Sequence, residues 1–460
     1  MPGGPPSLGS TRASFGGTGL RRVLGLGFGL AVIVGSTLGI GILRTPGLVA
    51  GQLSSPSSIL MVWIVGGLFT LLGAVCFAEL GTMLPREGGY YVYARHAFGD
   101  TVGFAVGWTD WLSYCAVLGY VSIGLGELAG VLVPALSSWV TFVAIASLVG
   151  LVALQWAGVQ VSSRFQQAAT AVKFFAFLAL VVAAFAIGGT PSAPAAAAAS
   201  ASIGGVVFAL QAVVITYGGW QSALYFSEED RDPAGNIPRS MIGGVLAVIV
   251  VYLLVNLALL RVLPVADLGR STFPAADAAK FLVGAGGDRI IAALSVISLP
   301  PMLNAIMMIG TRILFAMGRD GLLWRRAATV GAGGTPTVAT LVTTAVAVVG
   351  ILSGTFQRLV AITAFFLVLN YSICSLALVV LRRREPARPR PFRAWGYPWS
   401  AGIVLIGAVA LVAGTLLGDS VNGAGGLALL AVGLAGRAVV KRQAPEHANR
   451  EAVETGRAPL

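Results

Sequence analysis

Charged side chains make up only 10 % of this 460-residue chain, against about a quarter in an ordinary soluble domain. Beside 56 % hydrophobic residues, that shortage excludes a water-soluble globule, which needs charge to cover its surface. Histidine is nearly missing. His96 and His447, the two present, fall in a loop and in the C-terminal tail with no cysteine or carboxylate pair beside them, so no catalytic cluster forms at membrane depth. The three cysteines, Cys76, Cys115 and Cys374, lie in separate apolar runs. Their spacing suits neither a disulfide framework nor a metal site, and they read as small packing residues. Lysine numbers only three in a chain that prefers arginine, and one of them, Lys173, sits inside an apolar run.

What the sequence has in abundance is apolar runs long enough to cross a bilayer. Roughly twelve are expected, at about 24–50, 59–84, 102–133, 139–156, 165–187, 203–226, 241–263, 290–317, 336–352, 359–381, 401–417 and 421–440. They leave short loops and no room for a sizeable soluble domain. A net charge of +12 raises the question of nucleic acid, but the basic residues sit in loops between spans rather than on a folded face. Arg12, Arg21 and Arg22 precede span 1, and Arg86, Arg95, Arg164, Arg231, Arg239, Arg319, Arg325, Arg326 and a cluster from Arg382 to Arg393 fall in the even-numbered connections. By the positive-inside rule both termini face the cytoplasm, which requires an even number of spans. The chain divides into a cytoplasmic tail (1–23), a core of ten spans (24–381), a basic connection with spans 11 and 12 (382–440) and a polar tail (441–460).

Two stretches interrupt the apolar pattern. Gly35-Ser36-Thr37-Leu38-Gly39-Ile40-Gly41 places three glycines mid-span, where each costs up to roughly 1 kcal/mol in a helix interior. Such a stretch is either a small-residue face for close helix packing or an unwound segment lining a cavity. Tyr217-Gly218-Gly219-Trp220 breaks span 6 in the same way. Interruptions at corresponding places in two halves are the pattern of a transporter built from inverted repeats. Five spans per repeat, 1–5 and 6–10, give the second half the opposite orientation. N–H groups at a half-helix start favour a carboxylate and carbonyls at a half-helix end favour an ammonium, so a zwitterionic amino acid suits such a site.

Other polar residues admit two readings each. Lys173, about two turns inside span 5, either snorkels to the interface or is a buried functional amine. Asp110 and Glu127 in span 3 are interfacial or paired positions, or coupling acids. The run Ser227-Glu228-Glu229-Asp230-Arg231-Asp232 reads as solvated loop charge.

The motifs resemble the amino acid–polyamine–organocation superfamily, nearest its L-type amino acid transporter branch and bacterial relatives. The likeness covers spans 1–10 and rests on Gly35 to Ile42 with Thr45-Pro46, Gly88-Gly89-Tyr90-Tyr91-Val92-Tyr93, Tyr217-Gly218-Gly219-Trp220, Glu228-Glu229, Asn236-Ile237-Pro238-Arg239, and Asn304 with Arg312. It implies an all-α integral membrane protein of 12 transmembrane helices, a LeuT-type 5+5 inverted repeat with broken helices 1 and 6. It implies further that backbone at Gly39, Ile40 and Gly41 holds a substrate carboxylate and that carbonyls near Thr37, Ile215, Thr216 and Gly218 hold its ammonium. Lys173 matches the family lysine that stands where sodium-coupled relatives bind sodium, bridging span 1 to span 8, and Trp220 flanks the site as a gate. Ile40 replaces the usual small residue and Ile215-Thr216 replace Phe-Ala, so side-chain selectivity does not carry over. With no cysteine in an outer loop, the disulfide to a heavy-chain subunit of animal relatives is not available, and a free-standing protein with no cofactor is expected.

The expectation is sodium-independent alternating-access transport, by exchange of neutral L-amino acids. Proton-coupled symport and a cationic amino acid or polyamine antiporter are the alternatives. A channel fits poorly with paired breaks in two halves.

Overall fold

The computed structural model describes residues 20–53, 55–187, 202–353, 356–418, 421 and 423–437. Residues 1–19 and 441–460 of the expected tails, and 190–201 of the expected outer loop, lie outside that set. Among the described residues every regular element is a helix, apart from two isolated β-bridges. Helices α1 (Leu26–Thr37) and α2 (Gly41–Ala50) form one bent unit, 47° apart. Next come α3 (Pro56–Met83), a short α4 (Tyr90–Phe98), α5 (Asp100–Leu132), α6 (Val140–Trp156) and α7 (Val159–Ile187). Helix α8 (Ile203–Thr216) stops at a turn, and a 3₁₀ segment, Ser222–Phe226, carries the chain on. There follow α9 (Pro233–Val262), α10 (Val265–Arg270), α11 (Pro274–Val283), α12 (Gly287–Arg319), α13 (Thr337–Leu352), α14 (Phe356–Arg384), α15 (Trp399–Gly418) and α16 (Gly423–Arg437).

Local chemistry sets several of these starts. Ser55 caps α3 by accepting from the Ser58 N–H at 3.2 Å, with Pro56 at the first helical position. Asp232 caps α9 the same way, accepting from Gly235 at 3.2 Å ahead of Pro233. Each cap satisfies an N–H that the first turn leaves unpaired, and proline there gives up a donor the helix does not use. Helix α9 therefore begins eight residues before the apolar run that announces it.

Seven of the helices are long and apolar enough to cross a membrane, eight if the bent α1–α2 pair counts as one; α8, α13, α15 and α16 are apolar but shorter. Large apolar side chains such as Leu68, Phe142, Phe175, Val182 and Phe208 stay exposed on the outside. An outer surface of that kind suits lipid rather than water. The protein is an all-helical membrane protein. Inside, α5 lies along α12 and α3 along α9, while α1 sits against α9, α7 and α12. These contacts bring the two helix breaks to the centre of the bundle.

Candidate functional site

The α1–α2 break spans residues 38–40, with Leu38 extended (φ −68°, ψ 97°). The three glycines divide between the two expected roles. A Cβ on Gly35 would lie 2.4 Å from Gln166 Nε2 and 2.6 Å from Thr170 Oγ1, so Gly35 serves close approach to α7. Gly39 and Gly41 sit at the break instead, facing Met302 Sδ and Thr216 Cγ2, each 3.1 Å from where a Cβ would be. Helix α2 starts here and its opening N–H groups have no partner one turn back, although the Leu43 N–H is taken by the Ile40 carbonyl at 3.1 Å.

The α8 break meets it directly. Gly219 adopts φ +116°, and a Cβ there would lie 2.8 Å from Thr37 Oγ1 and 2.9 Å from Ser36 backbone carbon. Only glycine combines that conformation with that approach. Ser36 Oγ lies 2.8 Å from Ser222 Oγ and 3.1 Å from the Gly219 carbonyl, and Thr45 Oγ1 lies 2.7 Å from Thr216 Oγ1. The two broken spans are thus tied on both sides of the gap.

A residue that sequence reasoning missed holds the carbonyl side. Tyr252 of α9 is fully buried, and its hydroxyl lies 2.7 Å from the Thr37 carbonyl and 3.0 Å from the Thr216 carbonyl. One phenolic proton serves both helix ends. The Ile215 carbonyl accepts from the Gly218 N–H at 2.9 Å, and the Ile215 side chain is exposed rather than turned inward. A lone tyrosine within the apolar run 241–263 was the available signal.

Lys173 is fully buried and donates to the Gly35 carbonyl at 2.8 Å, which removes the snorkelling alternative. The bridge to span 8 takes another form. Among the described residues Lys173 makes no hydrogen bond to α12; Asn304 of α12 instead donates to Gln166 Oε1 (2.8 Å) and accepts from Gln155 (2.8 Å) and Ser162 (3.0 Å). Gln166 and Thr170 pass the link on to the Ala31 carbonyl at 3.3 and 3.1 Å. Trp220 is buried in an aromatic cluster, its ring 5.2 Å from Phe77 and 5.5 Å from Tyr371 and pressed on Gly73. Asp110 is buried and accepts from the Tyr225 hydroxyl at 2.7 Å, whereas Glu127 is exposed.

The run 227–232, expected as solvated loop charge, is exposed only at Arg231 and Asp232. Glu229 is fully buried and receives a two-pronged bond from Arg312, because the loop folds under α12 rather than into water. The basic end of α14 and the connection after it are anchored too, with Arg382 and Arg390 both paired to the buried Glu79 of α3.

The sequence profile of the amino acid permease family matches residues 29–431, from within α1 to within α16. The chain belongs to the amino acid permease family. It is an amino acid–polyamine–organocation permease, related to the L-type amino acid transporters and their bacterial relatives, and hence a transporter rather than an enzyme. This permease is similar to the serine/threonine exchanger SteT of Bacillus subtilis, 27 % identical over 427 residues covering 91 % of this chain and 96 % of that protein. It is similar also to the human b(0,+)-type amino acid transporter 1 (28 % identical; 81 % and 79 % covered). A third is the human large neutral amino acids transporter small subunit 2 (29 % identical; 85 % and 76 % covered).

Proposed function

We propose that the permease carries amino acids across the cell membrane by alternating access, as a sodium-independent exchanger of neutral L-amino acids. The observation that carries this reading is the meeting of two helix breaks, which sets a helix start beside two helix ends. N–H groups at Gly39, Ile40 and Gly41 hold the carboxylate, and carbonyls at Thr37, Ile215, Thr216 and Gly218 hold the ammonium. An ammonium replaces the Tyr252 proton at Thr37 and Thr216. Lys173 fastens the unwound segment to α7, and Trp220 gates the pocket.

Seven long helices, one bent pair and four shorter apolar helices are consistent with twelve spans, ten in the proposed LeuT-type 5+5 repeat and two, α15 and α16, outside it. Pairing of spans five apart (α3 with α9, α5 with α12, α2 with α8) supports that symmetry. The arginine-rich ends support cytoplasmic termini, and the buried positions of all three cysteines support a protein without a disulfide-linked heavy chain. A proton-coupled cycle is the second reading, favoured by the buried amine of Lys173 held by a single carbonyl.

Uptake of labelled amino acids into proteoliposomes, with internal substrate, sodium and pH varied, tests both. Stimulation by internal unlabelled amino acid in sodium-free buffer is expected. Accumulation driven by a pH gradient into empty vesicles assigns the proton-coupled cycle, and uptake of no amino acid overturns both readings.

A further inference from the structure

At the end of the bundle where α1 begins, two fully buried carboxyls share one guanidinium. The Leu24 N–H donates to the Glu229 carbonyl at 3.0 Å and the Arg231 N–H to the Leu24 carbonyl at 3.1 Å, which docks the 227–231 loop on the start of α1. Arg312 donates to Glu229 Oε1 and Oε2 at 2.7 and 3.3 Å, and its Nε lies 3.7 Å from Glu87 Oε1; all three side chains are 0 % exposed. Glu87 is driven inward by the Pro85–Gly89 turn. Gly88 and Gly89 take φ +112° and +57°, and a Cβ on Gly89 would lie 2.4 Å from the Tyr225 ring.

The hydrogen-bond account of Glu87 does not close. Its Oε2 accepts from the Glu228 N–H at 3.2 Å, while Oε1 is buried with no donor. The other ionisable groups facing it are Glu228 and Arg319, which pair with each other at 2.8 Å on the half-exposed rim, and the Tyr93 hydroxyl of α4. Two buried carboxylates and one guanidinium leave one net negative charge, which buried surroundings tolerate poorly. A proton on the pair removes that charge and gives the orphan oxygen its partner. Burial, and then the neighbouring Glu229, push the Glu87 carboxyl well above the ordinary carboxylate range against the opposing pull of Arg312.

We propose that Glu87 and Glu229 hold one proton between them, a proton-binding site that fills when the 227–231 loop docks on Arg312 and empties when that loop parts from the 85–89 turn. Undocking returns both carboxyls to water, where each ionises freely. The choice of transported substrate does not enter, because the site lies at the end of the bundle where α1 begins.

The test is thermal melting of the purified full-length protein from about pH 5 to about pH 9, beside infrared detection of protonated carboxylic acid. A carboxyl raised on folding contributes stability present below its ordinary range and lost as pH rises through the raised value. Wild type therefore melts lower toward alkaline pH. Glu87→Gln keeps the shape, donates to Glu229 and has no proton to lose. It is expected to flatten that decline, to melt about 2 °C or more above wild type at the alkaline end, and to leave an acid carbonyl band in the wild-type-minus-variant difference spectrum at neutral pH, from which other buried carboxyls such as Asp110 cancel. Glu229→Gln leaves Glu87 to neutralise Arg312 and gives the same difference band. An unchanged pH slope in Glu87→Gln, a lower melting point than wild type at neutral pH, or a difference spectrum without that band for either variant overturns the proposal.

Discussion

Gly219→Ala is the substitution that separates a joined pair of helix breaks from two independent irregularities. At φ +116° an alanine is strained by about 1–3 kcal/mol. Its Cβ would also stand 2.8 Å from Thr37 Oγ1 and 2.9 Å from Ser36 backbone carbon. Backbone does not move aside as a flexible side chain does, so overpacking adds roughly another 1–3 kcal/mol. The cheapest relief is for the two breaks to part, which takes the α2 start away from the α8 end. If both must sit together to hold one ligand, a penalty of at least 2 kcal/mol appears in binding as a loss of about thirtyfold or more. Binding of a labelled amino acid to purified protein measures it. Gly204→Ala, at the start of helix α8 whose end leads into the Gly219 turn, with nothing within 4 Å of its Cβ, is the control and should bind as wild type does. Wild-type affinity in Gly219→Ala would refute the reasoning.

Three further substitutions test the neighbouring links. Lys173→Ala removes the charged donor to the Gly35 carbonyl, worth about 1.5–3 kcal/mol; transport should fall at least tenfold while membrane insertion, read by surface expression, stays intact. Tyr252→Phe frees the Thr37 and Thr216 carbonyls at a cost of about 0.5–1.5 kcal/mol in stability, so the apo protein should melt lower and an amino acid ligand should restore more stability than in wild type. Arg312→Met strands Glu229 in a buried site and should destabilise by about 3–5 kcal/mol, read as lost folded protein on size-exclusion chromatography, with Glu229→Gln in the same chain recovering most of it.

Much of the scaffold was readable from local patterns. The apolar runs marked the spans, and Gly39, Gly41 and Gly218-Gly219 marked both breaks, because glycine mid-span has few cheap explanations. Gly35 shows the limit of that signal: it belongs to the same stretch yet packs on α7, a fact fixed by Gln166 and Thr170 more than 130 positions away. The charged loop at 228–230 was misread for a related cause. Nothing near it in the chain reveals that Arg312 waits beneath, so a loop of acids looks solvated until the fold supplies the partner. Tyr252 escaped notice because a single hydroxyl in an apolar helix carries no periodicity; its role follows only from where α9 lies against the two breaks. The Lys173 bridge was half legible: its burial followed from depth in the span and its tie to span 1 from the family resemblance, but that α12 is reached through Asn304 and Gln166 rather than by Lys173 followed only from geometry.

The central claim is that the two breaks together read both charged ends of an amino acid, and it is tested most directly by ligand-dependent melting of the purified permease with three matched compounds. A free neutral amino acid at about a hundred times its dissociation constant should stabilise by about 2.7 kcal/mol, whereas the same amino acid as its methyl ester or as its N-acetyl derivative should give no stabilisation at that concentration. Equal stabilisation by either blocked compound would contradict the account.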